Sequence, residues 1–148
     1  MPPWFGSIYP TVEDLETYAG SLLAVVEPSR GKTAACTLIE GGAVILIPDR
    51  WGNLERCWGI VHELGHLRMH SGPKGSLSWY RNEAQANRWA ACALIPEARI
   101  LPHQNASMDT LIDALSSHYQ NIPFEDCPLR RLAARISRHR LVALKVCA

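Results

Sequence analysis

Two histidines four residues apart, His62 and His66, bracket a glutamate in the stretch HELGH. On a helix, residues at this spacing lie on one face, so both imidazoles can bind the same metal ion. Glu63 follows the first histidine and can take a proton from a water that the metal activates. Apolar residues surround the motif, and burying these polar groups would be unfavourable unless they bound something. The pattern therefore predicts a catalytic metal site.

A third ligand is expected from the next predicted helix, where Glu83 and Asn87 repeat the four-residue spacing. Glu83 can complete a set of two histidines and one glutamate and leave a fourth position for water. Asn87, one turn later, can accept the N–H of a ligating imidazole and fix its orientation. The three-histidine pattern of the metzincins is excluded, because it needs a third histidine six positions after His66, where Gly72 stands.

Hydrophobic spacing and turn signals predict the elements that hold these residues. A capping-box pattern at Thr11 and Asp14 begins a helix whose apolar spacing continues to Val26. Two β-prone runs separated by a Gly-Gly pair predict a hairpin over residues 36–47. Further helices are expected over residues 55–70, over the segment closed by Pro96, and near residues 108–119 and 128–144.

Length and composition fit one folded domain, since 148 residues with 47% apolar content can bury a single core. We expect one domain over residues 1–148, with its core over 11–96 and a C-terminal helical segment over 97–148. The predicted fold class is α+β, in which a small antiparallel sheet packs against an active-site helix pair and further helices follow at the C-terminal end.

The sequence resembles the ImmA/IrrE family of metallopeptidases in two stretches, HELGHLRMH at 62–70 and EAQANRWAACALIP at 83–96. The order and the separation of these two helices agree with the family, and the match covers residues 36–96. The resemblance implies a zincin-like fold, with His62, His66 and Glu83 as zinc ligands and Glu63 as the general base. It also implies a gluzincin-like endopeptidase that acts on a regulatory protein, typically a helix-turn-helix repressor of a mobile element or of a stress response.

The expected activity is therefore hydrolysis of a peptide bond by zinc, with manganese as the other candidate metal, and without a covalent intermediate. An oxyanion stabiliser or substrate contact is expected beside the metal, and the exposed edge of the hairpin could bind an extended peptide as an added strand. The alternative is a non-catalytic, zinc-stabilised protein-binding module, against which the presence of Glu63 argues. Candidates for the oxyanion or substrate contact are Tyr80, His70 and Arg88, together with Arg81 and His103.

Composition also bears on compartment and partners. The five cysteines contain no C-x-x-C pair, which speaks against a disulfide framework or a four-thiolate zinc site. With no apolar run of about 18–20 residues and no leader pattern, we expect a cytoplasmic protein without a membrane partner. Basic residues predominate after Asp126, but they lie partly around the predicted helix, so a solvated face is expected and nucleic acid is not. The expected partner is a protein substrate that regulates transcription.

Overall fold

The computed structural model describes residues 5–6, 8–69, 77–100 and 106–147 of the chain. These residues form an α+β fold of six helices and three strands, which confirms the predicted fold class. In chain order, the elements are α1 (Val12–Ser21), β1 (Ala24–Ser29), β2 (Ala35–Ile39), β3 (Gly42–Pro48), α2 (Asn53–Met69), α3 (Leu77–Leu94), α4 (Glu97–Ile100), α5 (Met108–His118) and α6 (Pro128–Cys147).

The sheet is mixed, with strand order β1-β3-β2. Strands β2 and β3 form the predicted antiparallel hairpin, in which Ile39 pairs with Gly42 across a turn that has Gly41 at φ +81°. Strand β1 runs parallel to β3, so the sheet is not purely antiparallel as predicted. Alternate residues of the central strand, Ala43, Ile45 and Ile47, are buried against the helices. The other face of β3 is only half-buried.

The first helix begins as predicted and ends earlier. Thr11 and Asp14 form the capping box: each backbone N–H donates to the other residue's side chain, at 2.8 and 3.2 Å. The prediction that this helix continues to Val26 is wrong, because the chain turns at Leu23, whose φ is +59°, and Val26 lies in β1. Parallel pairing with β3 outweighs the helical spacing of the apolar residues. A side chain at Gly42 would overlap the Leu23 carbonyl oxygen, so glycine is needed at this close approach.

Helices α2 and α3 pack closely because small residues meet at their contact. Gly65 of α2 faces Ala86 and Trp89 of α3, and a Cβ built on Gly65 would lie 3.4 Å from the Ala86 Cα and 3.3 Å from the Trp89 ring. Ala86 and Ala90, one turn apart on α3, are both fully buried. The mid-helix glycine therefore permits a short distance between the two helices that carry the predicted ligands.

The end of α3 is tied to the C-terminal helices through its carbonyl groups. The buried Arg140 of α6 donates from Nε to the Ile95 carbonyl at 2.7 Å, and the Tyr119 hydroxyl donates to the Leu94 carbonyl at 3.1 Å. Carbonyls at a helix C-terminus lack partners within the helix, and these donors satisfy them. Arg131 pairs with Asp126 at 3.0 Å. Arg130 lies 3.8 Å from Asp109, so at least three of the basic residues after Asp126 have contacts within the fold.

None of the helices in the described part of the chain combines the length and the apolar character needed to cross a membrane. Among the described residues, Cys36, Cys57, Cys92 and Cys127 form no disulfide bond.

Candidate metal centre

Helix α2 presents three side chains in register along one face, each four residues after the last: Trp58, His62 and His66. The opposite side of the helix carries the fully buried residues Ile60 and Leu64, which fix its rotation against the core. The histidines are only partly buried, with side-chain exposures of 17% and 21%. Packing of the apolar stripe therefore aims both imidazoles toward the boundary between core and solvent.

Helix α3 brings a carboxylate between the two imidazoles. Glu83 Oε1 lies 2.6 Å from His66 Nε2, and Glu83 Oε2 lies 3.4 Å from His62 Nε2. The two rings are nearly perpendicular, with centroids 4.8 Å apart. One ligand atom from each of the three residues lies within 4.8 Å of the others. The structure thus brings together the three residues that the sequence singled out as ligands.

This donor set fits a metal ion of the zinc type. Two imidazole nitrogens and one carboxylate oxygen form a common catalytic zinc set, and ligand atoms around a tetrahedral zinc lie roughly 3.4 Å apart. The distance of 3.4 Å between His62 Nε2 and Glu83 Oε2 matches that value. The distance of 2.6 Å between His66 Nε2 and Glu83 Oε1 is shorter, because these two atoms form a hydrogen bond. Small side-chain rotations would accommodate an ion. The assignment of these residues as ligands remains a prediction that this geometry supports.

The protonation of His62 is set by burial and by its neighbours. Burial lowers its pKa below the usual range, while the negative charge of Glu83 acts in the opposite direction. A lowered pKa favours the neutral imidazole, which is the form that binds metals. Asn87 lies close enough to act on the His62 ring and favour its charged form. Within the part of the chain that the structure describes, no group forms a hydrogen bond of full geometry with the buried Nδ1 of His62, so the Asn87 contact is a loose one.

Glu63 follows His62 on α2 and is half-buried. Burial, and secondarily the charge of Glu83, raise its pKa to about 7. A carboxyl group with a pKa near neutrality can accept and return a proton under ordinary conditions, which is what a general base requires. The place of Glu63 next to His62 and its raised pKa support the role of general base, which stays a prediction.

The edge strand of the sheet lies near Glu63. Burial raises the pKa of the Cys36 thiol on β2 to about 11, and the Glu63 charge contributes to this rise. Strand β2 pairs only with β3 in the described sheet, so its other edge is open. Leu38, two residues after Cys36, is 75% exposed. An extended segment bound along β2 would therefore pass close to the candidate site.

The structure describes three of the five candidates for an oxyanion or substrate contact. Tyr80 lies one turn before Glu83 on α3 and is 62% exposed. Arg88 is half-buried on the same helix, and its charge acts on His139 of α6. The exposed Arg81 lies in the same turn as Tyr80. His70 and His103 lie outside the described residues.

Sequence reasoning missed the residues of α6 that approach this site. His139 stacks on the Trp58 ring at a centroid distance of 6.2 Å and an interplanar angle of 13°. The Trp58 ring in turn lies 6.0 Å from the His62 ring. Trp58 could have been found from the sequence, since it precedes His62 by one turn of the same predicted helix. No sequence signal relates His139 to α2, because their contact depends on how α6 packs.

Comparison with known proteins gives a family. No curated protein and no solved structure matched the chain. The family model that matches is peptidase M78, described as the IrrE N-terminal-like domain, and it covers residues 13–127. That range includes the sheet, both helices of the candidate metal centre and α5. The predicted resemblance to the ImmA/IrrE metallopeptidases is confirmed, and the chain belongs to the M78 peptidase family.

Proposed function

We propose that this protein is a zinc-dependent endopeptidase that hydrolyses a peptide bond in a cytoplasmic protein. The observation that carries the proposal is the convergence of His62, His66 and Glu83 within 4.8 Å, with Glu63 adjoining them. A structural zinc site is usually closed by four protein ligands, whereas three ligands leave a position for water or substrate. Membership of a metallopeptidase family supports the same chemistry.

The residues of the chain divide the work of hydrolysis. Zinc, when bound, would supply polarisation of the scissile carbonyl and a lower pKa for water. His62, His66 and Glu83 hold it, and Asn87 orients the His62 ring. Glu63 takes a proton from the attacking water and passes it to the leaving amine. Because its pKa is raised to about 7, the same group can perform both transfers near neutral pH.

The substrate that we propose is a transcriptional regulator of the helix-turn-helix class, as the family resemblance implies. The open edge of β2 supports recognition of an extended segment, because backbone groups of a substrate can pair with an unpaired strand. Such pairing depends mainly on backbone shape. A flexible linker within the regulator would therefore be a better target than a folded helix.

The test is the Glu63→Gln variant, which keeps the size of the side chain and removes the base. We expect zinc content and melting temperature to hold, while cleavage of a candidate regulator falls by at least about 10²-fold. Cleavage is measured by mass spectrometry after incubation with protein loaded with zinc or, separately, with manganese. Glu16→Gln, the same change at an exposed position of α1, is the control and should cleave normally.

One result would favour the alternative function. If the wild-type protein cuts no regulator with either metal and Glu63→Gln binds the regulator equally well, the protein is better described as a zinc-stabilised binding module. Undiminished cleavage by Glu63→Gln would instead remove Glu63 from the chemistry.

A further inference from the structure

The ring of His62 lacks the hydrogen bond that commonly orients a metal-binding imidazole. Such a ring usually donates its second N–H to a carboxylate, a backbone carbonyl or water, and this bond fixes the plane of the ring. The buried Nδ1 of His62 forms no bond of full geometry with any group in the described part of the chain. Asn87 makes only a loose contact with this ring. The orientation of His62 therefore also depends on the groups that its ring packs against.

Two aromatic rings lie beside His62 along the same face of α2. The His66 ring, one turn later, is nearly perpendicular to the His62 ring, with centroids 4.8 Å apart. The Trp58 ring, one turn earlier, lies 6.0 Å away and is tilted by 37°. Both distances are within the range over which aromatic pairs attract each other, roughly 4.5–7 Å. Since His66 is itself a predicted ligand, Trp58 is the ring that can fix His62 before a metal binds.

The Trp58 side chain is not enclosed by close packing on every side. It is only 8% exposed, but it lines a cavity of about 500 Å³ between α2 and the N-terminal part of α6. In a close-packed core, the neighbours of a side chain determine its rotamer, and a ring that borders open space has fewer such neighbours. The rotamer of Trp58 therefore depends on the groups that contact the rest of its surface.

His139 of α6 provides such a contact. Its ring is nearly parallel to the Trp58 ring, with an interplanar angle of 13° and a centroid distance of 6.2 Å. The next residue, the buried Arg140, attaches this part of α6 to the end of α3, because its Nε donates to the Ile95 carbonyl at 2.7 Å. The backbone at His139 is thereby held in place, and its ring can hold the Trp58 ring.

We propose that His139 and Trp58 are positioning residues of the metal centre, and that the stack of their rings sets the orientation of the His62 imidazole. The inference rests on the proposed function, because it takes His62 as a zinc ligand. A ring that is already oriented loses less freedom when the metal binds, so the stack raises metal affinity. Metal binding then depends on α6, which follows the residues 13–127 that the family model covers.

The experiment measures metal affinity and ligand geometry. His139→Ala removes the stack, and we expect zinc affinity to fall by about ten-fold, the lower end of the range for groups that orient metal ligands. Competition with a coloured chelator measures this affinity. Cobalt(II), bound in place of zinc, absorbs visible light according to the geometry of its ligands, so the cobalt spectrum should change as well.

His139→Phe keeps a ring on Trp58 but has no nitrogen atom, and we expect it to restore both the zinc affinity and the cobalt spectrum. His118→Ala is the matched control, because His118 of α5 also stacks on an aromatic ring, that of Tyr9, at an interplanar angle of 12°. This control should lower the metal-free melting temperature and leave zinc affinity unchanged. His139→Leu, which keeps most of the volume without a stacked ring, takes the place of His139→Ala if the alanine variant does not fold.

A double-mutant cycle tests whether His139 acts through Trp58. In a Trp58→Leu background, His139→Ala should cause no further loss of zinc affinity, because the ring that His139 holds is absent. Equal losses in the wild-type and Trp58→Leu backgrounds would overturn the stack as the route by which His139 acts on His62.

The remaining outcomes separate this inference from the proposed function. Wild-type zinc affinity and an unchanged cobalt spectrum in His139→Ala would overturn the role of the stack and leave the metal centre standing. The same conclusion follows if His139→Phe binds zinc no better than His139→Ala, because the nitrogen atoms of His139 would then be what matters. Failure of the wild-type protein to bind zinc or cobalt overturns the metal centre, and this inference with it.

Discussion

Helix α2 makes two very different contacts along its length. Toward α3, Gly65 packs against Ala86 and Trp89, with so little space that a Cβ on Gly65 would lie only 3.3–3.4 Å from both. Toward α6, the contact of Trp58 with His139 borders a cavity of about 500 Å³. A methyl group at Gly65 would require its neighbours to shift by a few tenths of an ångström, whereas Trp58 borders open space on the side of α6.

The difference corresponds to two requirements of the proposed chemistry. Ligands from separate helices must be held within a few tenths of an ångström, and close packing of small residues provides that precision. A substrate must enter and leave, and this requires space next to the ligands. Variants that remove the predicted ligands or disrupt the α2–α3 contact measure how much each part contributes to metal binding.

The largest effect is expected when both α2 ligands are removed. His62→Ala combined with His66→Ala leaves Glu83 alone, and one carboxylate does not hold zinc at ordinary concentrations. We expect metal content to fall from about one zinc per chain in the wild type to nearly none, as measured by atomic spectrometry on the dialysed protein. A full complement of zinc in the double variant would place the metal elsewhere. Replacing the exposed His118 by alanine is the control.

Glu83→Gln tests the contribution of α3 to the same site. The amide is a weaker ligand than the carboxylate, and we expect zinc affinity to fall by more than roughly 10²-fold, beyond the usual effect of outer-shell changes. Because binding to the folded state adds to stability, the stabilisation by a fixed zinc concentration should fall by at least about 2.7 kcal/mol. Thermal shift with and without zinc measures it. If the zinc affinity and the thermal shift stay unchanged, Glu83 is not a ligand. The control is Glu97→Gln, the same change at an exposed position.

Local signals in the sequence predicted the parts of this site that lie within one helix. The spacing of His62 and His66 fixes their common face, and the capping box at Thr11 was found because its partners are three residues apart. The parallel pairing of β1 with β3 was missed, since it joins residues such as Val26 and Ile45 that no turn connects. The approach of His139 to Trp58 was missed for the same reason. Both depend on packing between segments distant in the chain.

Glu83 is the instructive intermediate case. It lies on a different helix from the histidines, so spacing alone could not place it beside them. Glu83 was predicted from its four-residue spacing with Asn87 on the next predicted helix and from the resemblance to the ImmA/IrrE family. The structure adds the reason why the geometry closes: Gly65 and Ala86 let the helices approach. Small residues on two neighbouring helices, such as Gly65 and Ala86, are a sequence signal for close helix packing.

Gly65→Leu disrupts the close contact without touching a ligand. The added side chain must displace Ala86 or the Trp89 ring, and overpacking of this kind costs about 1–3 kcal/mol of unfolding free energy. Zinc affinity should fall as well, because Glu83 moves with α3. Urea unfolding and zinc titration measure the two effects. Gly20→Leu is the matched control: its Cβ would meet nothing within 4 Å, so stability should not fall. Equal behaviour of the two variants would show that the close contact is irrelevant to the site.

The smallest effect is expected for Asn87→Ala. Asn87 acts on His62 without forming a hydrogen bond of full geometry to the buried Nδ1 of that ring. Removal of Asn87 therefore takes away one weak contact of the His62 ring and leaves its other contacts in place. We expect zinc affinity to fall by about ten-fold, the lower end of the range for groups that orient metal ligands. Asn82→Ala removes the same side chain from the same helix at a residue that does not affect the pKa of His62, and the zinc affinity of this variant should match the wild type.

The metal-free melting temperature should change little in either variant, because a loose contact adds little stability. A loss of melting temperature with unchanged zinc affinity would make Asn87 a residue of the fold, and the orientation of His62 would then depend on its other contacts alone.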